Sequence, residues 1–181
     1  MSTTINDIEL VAKAVSGDTR AFSALLERHY DLIFRLAFRT LTNQQDAEDI
    51  TQDICVSLPR KLTSFQGSAQ FTTWLYQVTL NACRDFRRRM ARTRKTHSEY
   101  GEISALRDED SRQRQKDAQW AYYAIDTLGE PLRETALLVV AEGLNHAQVG
   151  EIQGIKESTV SWRMLKIREK LSELAHTEAA N

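Results

Sequence analysis

From Phe22 to Ala37 the apolar residues Phe22, Leu25, Leu26, Ile33, Leu36 and Ala37 return at steps of three and four, and nearly the whole chain keeps that rhythm. Such spacing gathers side chains on one face of an α-helix, whereas a half-buried strand needs strict alternation. Punctuation is scarce: seven glycines and two prolines in 181 residues favour long helices with short connections. An all-α fold follows, and the apolar stripes are too broad for isolated helices, so they must pack as bundles. A hydrophobic content of 41% suits two small helical domains with modest cores better than one large enzyme fold.

Ile8, Val11, Ala14 and Val15 line one face of a first short helix, which "SGD" ends, and a second begins near Thr19. "LTNQQDAEDI" breaks and restarts the chain, with Thr42 or Asn43 able to cap the next helix. That helix turns Ala47, Ile50, Ile54 and Leu58 inward and sets Asp46, Asp49 and Asp53 on an exposed face beside them. Asp46 and Asp49 can also serve simply to complement the helix macrodipole, an effect that fades before Asp53, two turns in. Pro59 implies a kink near the helix end. In the loop "LTSFQGSAQF", Phe65 and Phe71 either plug the bundle or line a pocket for an unstacked base. Trp74, Val78, Ala82 and Phe86 read as the buried stripe of the following helix, whose other faces carry Asn81, Arg84, Arg87 and Arg88. Arginines there can neutralise phosphates and an asparagine can read a base edge.

The stretch from His97 to Lys116 mixes charges of both signs with little apolar content and reads as a flexible linker, or alternatively as a solvent-exposed helical continuation. Periodicity resumes with Trp120, Ala121, Ala124, Ile125 and Leu128, and Pro131 suits the first turn of a helix over "EPLRETALLVV". In "NHAQVGEIQGIKESTVSWRMLKIREKL", Asn145 and Gln148 have capping-box spacing, Gly154 supplies a turn, and Ile155 and Val160 are placed to pack a second helix across the first. This is the outline of a helix-turn-helix, whose second helix presents Glu157, Ser158, Thr159, Ser161, Trp162 and Arg163, with Lys166 and Arg168 positioned for phosphates. Gly150 stands where alanine is usual and Gln153 where an aliphatic residue usually closes the core. His146 either touches phosphate or is a surface histidine beside the cap.

A net charge of −1 hides segregation: Arg84 to Lys95 and Arg163 to Lys170 are basic, and "DAEDITQD" is acidic. That pattern suits a polyanionic partner on one surface and a basic protein on another. Cys55 and Cys83 make neither a disulfide framework nor a ligand pair and read as small core residues in a cytosolic protein. No apolar run reaches the roughly 18 residues of a membrane span, and the first residues lack the order of a signal peptide. There is no phosphate-binding glycine loop, zinc-ligand pair or nucleophile context, so neither enzyme activity, nor a cofactor, nor a metal is expected.

The order and spacing of "DAEDITQD", "SFQGSAQFTTWLYQVTLNACRDFRRR", a polar linker and "EGLNHAQVGEIQGIKESTVSWRMLKIREKL" resemble the extracytoplasmic-function sigma factors, the minimal two-domain class of bacterial sigma factors. The resemblance implies a region 2-like domain over 1–96, a linker over 97–117, a region 4-like domain over 118–176 and a tail over 177–181. It implies that the first domain binds core RNA polymerase and melts the promoter minus-ten element, and that the second reads the minus-thirty-five element. Asp46, Asp49 and Asp53 match the helix that meets a basic-rimmed coiled coil of the largest polymerase subunit. Ser64, Phe65, Phe71, Trp74, Asn81, Arg84, Arg87 and Arg88 fall in the minus-ten set, with Asn81 helping to hold a flipped base. Glu157, Ser158, Thr159, Ser161, Trp162, Arg163 and Lys166 form the minus-thirty-five set. Pro59 departs from a position often aromatic or aliphatic. An anti-sigma factor that covers both surfaces is a further implied partner. The alternative from the residues alone is a dimeric helix-turn-helix regulator of duplex DNA.

Overall fold

The computed structural model describes residues 6–94, 124–125 and 127–179. The chain divides into two compact units, Met1–Tyr100 and Gly101–Asn181. The division falls within the stretch expected to be a linker, which lies outside the described residues, as do Trp120 and Ala121.

The first unit is built from α1 (Asp7–Val15), α2 (Thr19–Leu41), α3 (Gln44–Leu62) and α4 (Phe71–Arg94). Each of the first three starts on a side-chain cap that satisfies an otherwise unpaired backbone donor: Asn6 accepts from the Ile8 amide, Asp18 from Arg20 and Ala21, and Asn43 from Asp46. Thr42 instead ends α2 in the left-handed region at φ 56°, unusual for a β-branched residue. α2 packs against α1, α3 and α4. Leu25, Ile33 and Ala37 meet Ala47, Ile50, Ile54 and Leu58 of α3 and Leu75 and Cys83 of α4 in one core. Thr40, Thr51 and Thr79 are buried in this unit without an unpaired hydroxyl, because each donates to the carbonyl four residues back.

Two stripes differ from expectation. In α1, Leu10 and Val11 are buried while Ile8 and Val15 are 52% and 48% exposed. Asp7 decides the rotation: its carboxylate accepts from Arg28 and lies 2.9 Å from Nε2 of buried His29 on α2, and Leu10, Val11 and Ala14 share its face. In α4 the interior side is Leu75, Thr79 and Cys83 with Tyr76 and Leu80. Trp74, Val78, Ala82 and Phe86 lie one step around the cylinder, half-buried at the core edge. Pro59 is exposed, and α3 continues through it for one more turn to Leu62.

The second unit contains α5 (Glu130–Ala136), a π-helical turn over Leu137–Ala141, α6 (His146–Gln153) and α7 (Glu157–Ala179). Pro131 occupies the first turn of α5. Asn145 and Gln148 form a reciprocal capping box, the Gln148 amide donating to Asn145 Oδ1 at 2.9 Å and the Asn145 amide to Gln148 Oε1 at 3.0 Å. Gly154 closes α6 at φ 66°, and α6 packs on α7, giving the helix-turn-helix. The last helix runs to Ala179, so the tail expected over 177–181 is helical through that residue.

Gly150 is required by this turn rather than merely tolerated. A Cβ at this position would stand 2.8 Å from the Ile155 carbonyl oxygen and 3.4 Å from the Glu157 amide nitrogen, both backbone atoms that cannot swing aside. Alanine contributes about 1 kcal/mol over glycine within a helix, but overpacking costs about 1–3 kcal/mol. Gly150→Ala is therefore expected to destabilise the second unit by about 1 kcal/mol, read by hydrogen exchange of the α6 amides. Slower exchange in the variant would mean that the turn relaxes without cost.

Candidate functional site

The acidic face of α3 begins at its cap. Asp46 is half-buried beside Asn43, whereas Asp49 and Asp53 are exposed. Asp49 Oδ1 is 3.4 Å from Gln45 Nε2, at the limit of a hydrogen bond, so its position is set by the helix and little else. Ala47, Ile50 and Ile54 hold the opposite side of α3 in the core, which fixes the acids outward.

The loop before α4 is organised by aromatic packing. Phe65, Phe71 and Trp74 contact one another with ring centroids 5.5–5.6 Å apart, and Phe71 also meets His29 at 5.2 Å. Tilted and edge-on pairs at this distance suit aromatic quadrupoles. Phe71 is only 3% exposed, so it acts as a core plug beneath the loop rather than as a contact surface, and Phe65 and Trp74 remain half-buried above it. Ser64 is exposed and donates its hydroxyl to the Lys61 carbonyl at 2.7 Å.

On α4, Asn81 and Arg88 are exposed and Arg84 and Arg87 are half-buried. Arg84 Nη1 donates to Asn81 Oδ1 at 2.7 Å, which joins the two side chains in one hydrogen-bonding unit and leaves the Asn81 NH2 to donate elsewhere. Arg88 lies 3.5 Å from Asp85, with both side chains highly exposed, a pair that constrains little. Cys83 is buried and Cys55 half-buried, and both are free thiols. Burial raises the Cys55 pKa, with a backbone hydrogen bond acting in the other direction, so this thiol is not an activated nucleophile.

Helix α7 sorts the third set. Glu157, Ser158, Ser161 and Trp162 are exposed and Thr159 is half-buried, while Val160, Met164 and Ile167 anchor the inner side. Arg163 has partners within the second unit. Its Nη1 donates to Gln153 Oε1 at 2.9 Å and lies 3.4 Å from Thr135 Oγ1, so it is held inside the junction of α5, α6 and α7. Gln153 therefore closes that junction by a polar link where an aliphatic side chain was the ordinary expectation, and Thr135 Oγ1 also lies 3.1 Å from Gln153 Oε1. Lys166 pairs with Glu169 at 2.7 Å. His146 Nδ1 is 2.9 Å from Ser161 Oγ, tying the start of α6 to the exposed face of α7. Neither the Arg163 link nor the His146 link is readable in the sequence, since each joins residues ten or more positions apart.

Among the described residues, no group of three or more His, Cys, Asp or Glu is placed to hold a metal ion, and no helix is long and apolar enough to cross a membrane.

Residues 25–93 match the family model of sigma-70 region 2, a span that takes in the acidic helix, the aromatic loop and α4. The chain is 31% identical over 169 residues to the ECF RNA polymerase sigma factor SigM of Mycobacterium tuberculosis strain H37Rv, covering 93% of this chain and 84% of that protein. Among solved structures it is similar to CnrH in complex with the cytosolic domain of CnrY, with a TM-score of 0.69, 25% identity and coverage of 94% and 97% of the two chains. The sigma factor RpoE in complex with the anti-sigma factor NepR from Bartonella quintana has the same fold at a TM-score of 0.69 and 22% identity, covering 87% of this chain and 98% of that one.

Proposed function

The chain belongs to the extracytoplasmic-function family of RNA polymerase sigma factors, and on that premise we propose how its two units divide the work of starting transcription at chosen promoters. As a sigma factor it binds core RNA polymerase and directs promoter-specific initiation. In our reading the region 2-like unit over 1–96 carries both polymerase binding and minus-ten recognition, and the region 4-like unit over 118–176 carries minus-thirty-five recognition. Asp49 and Asp53, with Asp46 at the cap, meet the basic polymerase surface. Asn81 and Arg84 act as a pair on the melted strand, with Arg87 and Arg88 on its backbone and Ser64, Phe65 and Trp74 framing the base pocket above Phe71. Glu157, Ser158, Thr159, Ser161, Trp162 and Lys166 face the upstream duplex.

The observation that most supports this division is the separation of charge within one small bundle: exposed carboxylates on α3, and Asn81, Arg84 and Arg88 together on α4. Unstacking a base costs a few kcal/mol, more than one weak reader offsets alone. Tethering two readers to one polymerase makes the second contact intramolecular. Free chain should accordingly bind duplex DNA poorly. The protein acts in the cytoplasm, has no catalytic step of its own, and is held in check by an anti-sigma factor.

Transcription by purified core polymerase from pooled promoter fragments, with and without the chain, tests the reading. Discrete new start sites that share two spaced upstream elements are expected. Active polymerase that gains no starts, together with tight duplex binding by the chain alone, would favour the dimeric regulator.

Arg163 belongs to this scheme as a positioning residue. Arg163→Met is expected to destabilise the second unit by about 1 kcal/mol and to leave the salt slope of promoter binding by the holoenzyme unchanged. A residue on a phosphate would instead lower that slope by about 1, and such a drop would return Arg163 to the DNA-contacting set.

A further inference from the structure

A polar link runs from α1 into the aromatic cluster. Asp7, the first residue of α1, accepts from Arg28 and from His29, consecutive residues of α2. A carboxylate only accepts, so Nε2 of His29, 2.9 Å from Asp7 Oδ2, carries the proton. The ring held in this way is itself buried, at 7% exposure, and it meets Phe71 at 5.2 Å and 60°. Phe71 in turn touches Phe65 at 88° and Trp74 at 33°, and those two rings close the triangle at 5.6 Å. Mutually touching rings do not turn singly in a close-packed interior, so a change in the tilt of one is passed to the others.

Anchorage of α1 does not account for the link. Leu10 and Val11 hold α1 in the bundle core without it, and a carboxylate in the first turn of a helix is favoured by the macrodipole with no partner at all. What the bond adds is direction: an imidazole tied at one nitrogen keeps one tilt, whereas an untied ring is broadly free about its outer torsion. We infer that His29, held by Asp7, is a positioning residue for the minus-ten base pocket: it sets the tilt of Phe71 and, through Phe71, of Phe65 and Trp74. The inference rests on the reading of Phe65 and Trp74 as the frame of that pocket and names what holds them ready. α1 thereby influences strand opening through packing.

Asp7→Ala and His29→Phe break the link from opposite ends and leave a ring against Phe71. Each, as full chain with purified core polymerase, is expected to lower promoter opening at saturating polymerase by about three- to tenfold, read by permanganate, with the polymerase Kd unchanged. The double variant should be no worse than either single one, the mark of one shared link. A spectroscopic signature separates positioning from loss of stability. With 5-fluorotryptophan at the three tryptophans, the Trp74 resonance, assigned through Trp74→Phe, should move in both variants while the other two hold. Arg28→Ala, which removes the second donor to Asp7, should leave both opening and resonance native. Native opening in Asp7→Ala and His29→Phe, an unmoved Trp74 resonance, additive losses, a matching loss of polymerase affinity or an equal defect in Arg28→Ala each overturn the proposal. Trp74→Leu separates the two levels of the argument. A defect in that variant beside native opening by Asp7→Ala and His29→Phe leaves the pocket standing and removes the link; native opening by Trp74→Leu removes both.

Discussion

Asp49→Lys weakens binding to core polymerase by at least about tenfold, because placing like charges opposite one another across an interface costs several kcal/mol. The fold gives the variant little reason to unfold. Asp49 is exposed, its contact with Gln45 is at the limit of a hydrogen bond, and a lysine near the start of α3 loses only about 0.3–1 kcal/mol against the macrodipole. Asp46 would be a poorer choice, being half-buried next to the cap that starts the helix. Affinity measured at two ionic strengths sharpens the test, since an exposed charge pair is screened at high salt. The native chain should lose affinity as salt rises, and the variant should lose less. Equal affinities for native and variant chains would take Asp49 off the polymerase surface.

The parts of the molecule governed by local rules were legible in the sequence. Ala47, Ile50, Ile54 and Leu58 are all buried, as their spacing requires, and the capping box at Asn145 and the left-handed turn at Gly154 follow from residue types at fixed short offsets. Rotation of a helix about its own axis was less legible where a distant partner decides it. In α1 the Asp7 link to Arg28 and His29 turns Leu10 inward and leaves Ile8 outside. In α4 the buried side runs through Leu75, Leu80 and Cys83 together with Thr73 and Thr79, and back-bonding to the Leu75 carbonyl satisfies the Thr79 hydroxyl.

The candidate site divides along the same line. Exposure of Asp49, Asp53, Asn81 and Arg88 follows from helical geometry once the core face is known. The partners of Arg163 do not, because Gln153 and Thr135 reach it only through the packing of three helices. Gly150 gave a similar lesson, since the need for a missing Cβ is visible only when the Ile155 carbonyl is in place.

Asn81→Ala is expected to reduce promoter opening at saturating polymerase by about 5- to 150-fold, the equivalent of about 1–3 kcal/mol for one specific base contact. Two effects combine in that loss. The amide that would hold the flipped base disappears, and Arg84 loses the acceptor that orients its guanidinium. Destabilisation of α4 cannot explain such a defect, because alanine is the better helix former by roughly 0.5 kcal/mol. Polymerase affinity should stay at the native value, since Asn81 is exposed on α4 and the proposed polymerase-facing acids lie on α3. Permanganate reactivity of unpaired thymines reports opening directly, and a template with the minus-ten region already mismatched separates melting from later steps. Recovery on that template would place Asn81 in strand separation and capture. A defect of the same size on both templates would mean that Asn81 acts after the strands part, and a parallel loss of polymerase affinity would move it to the protein interface.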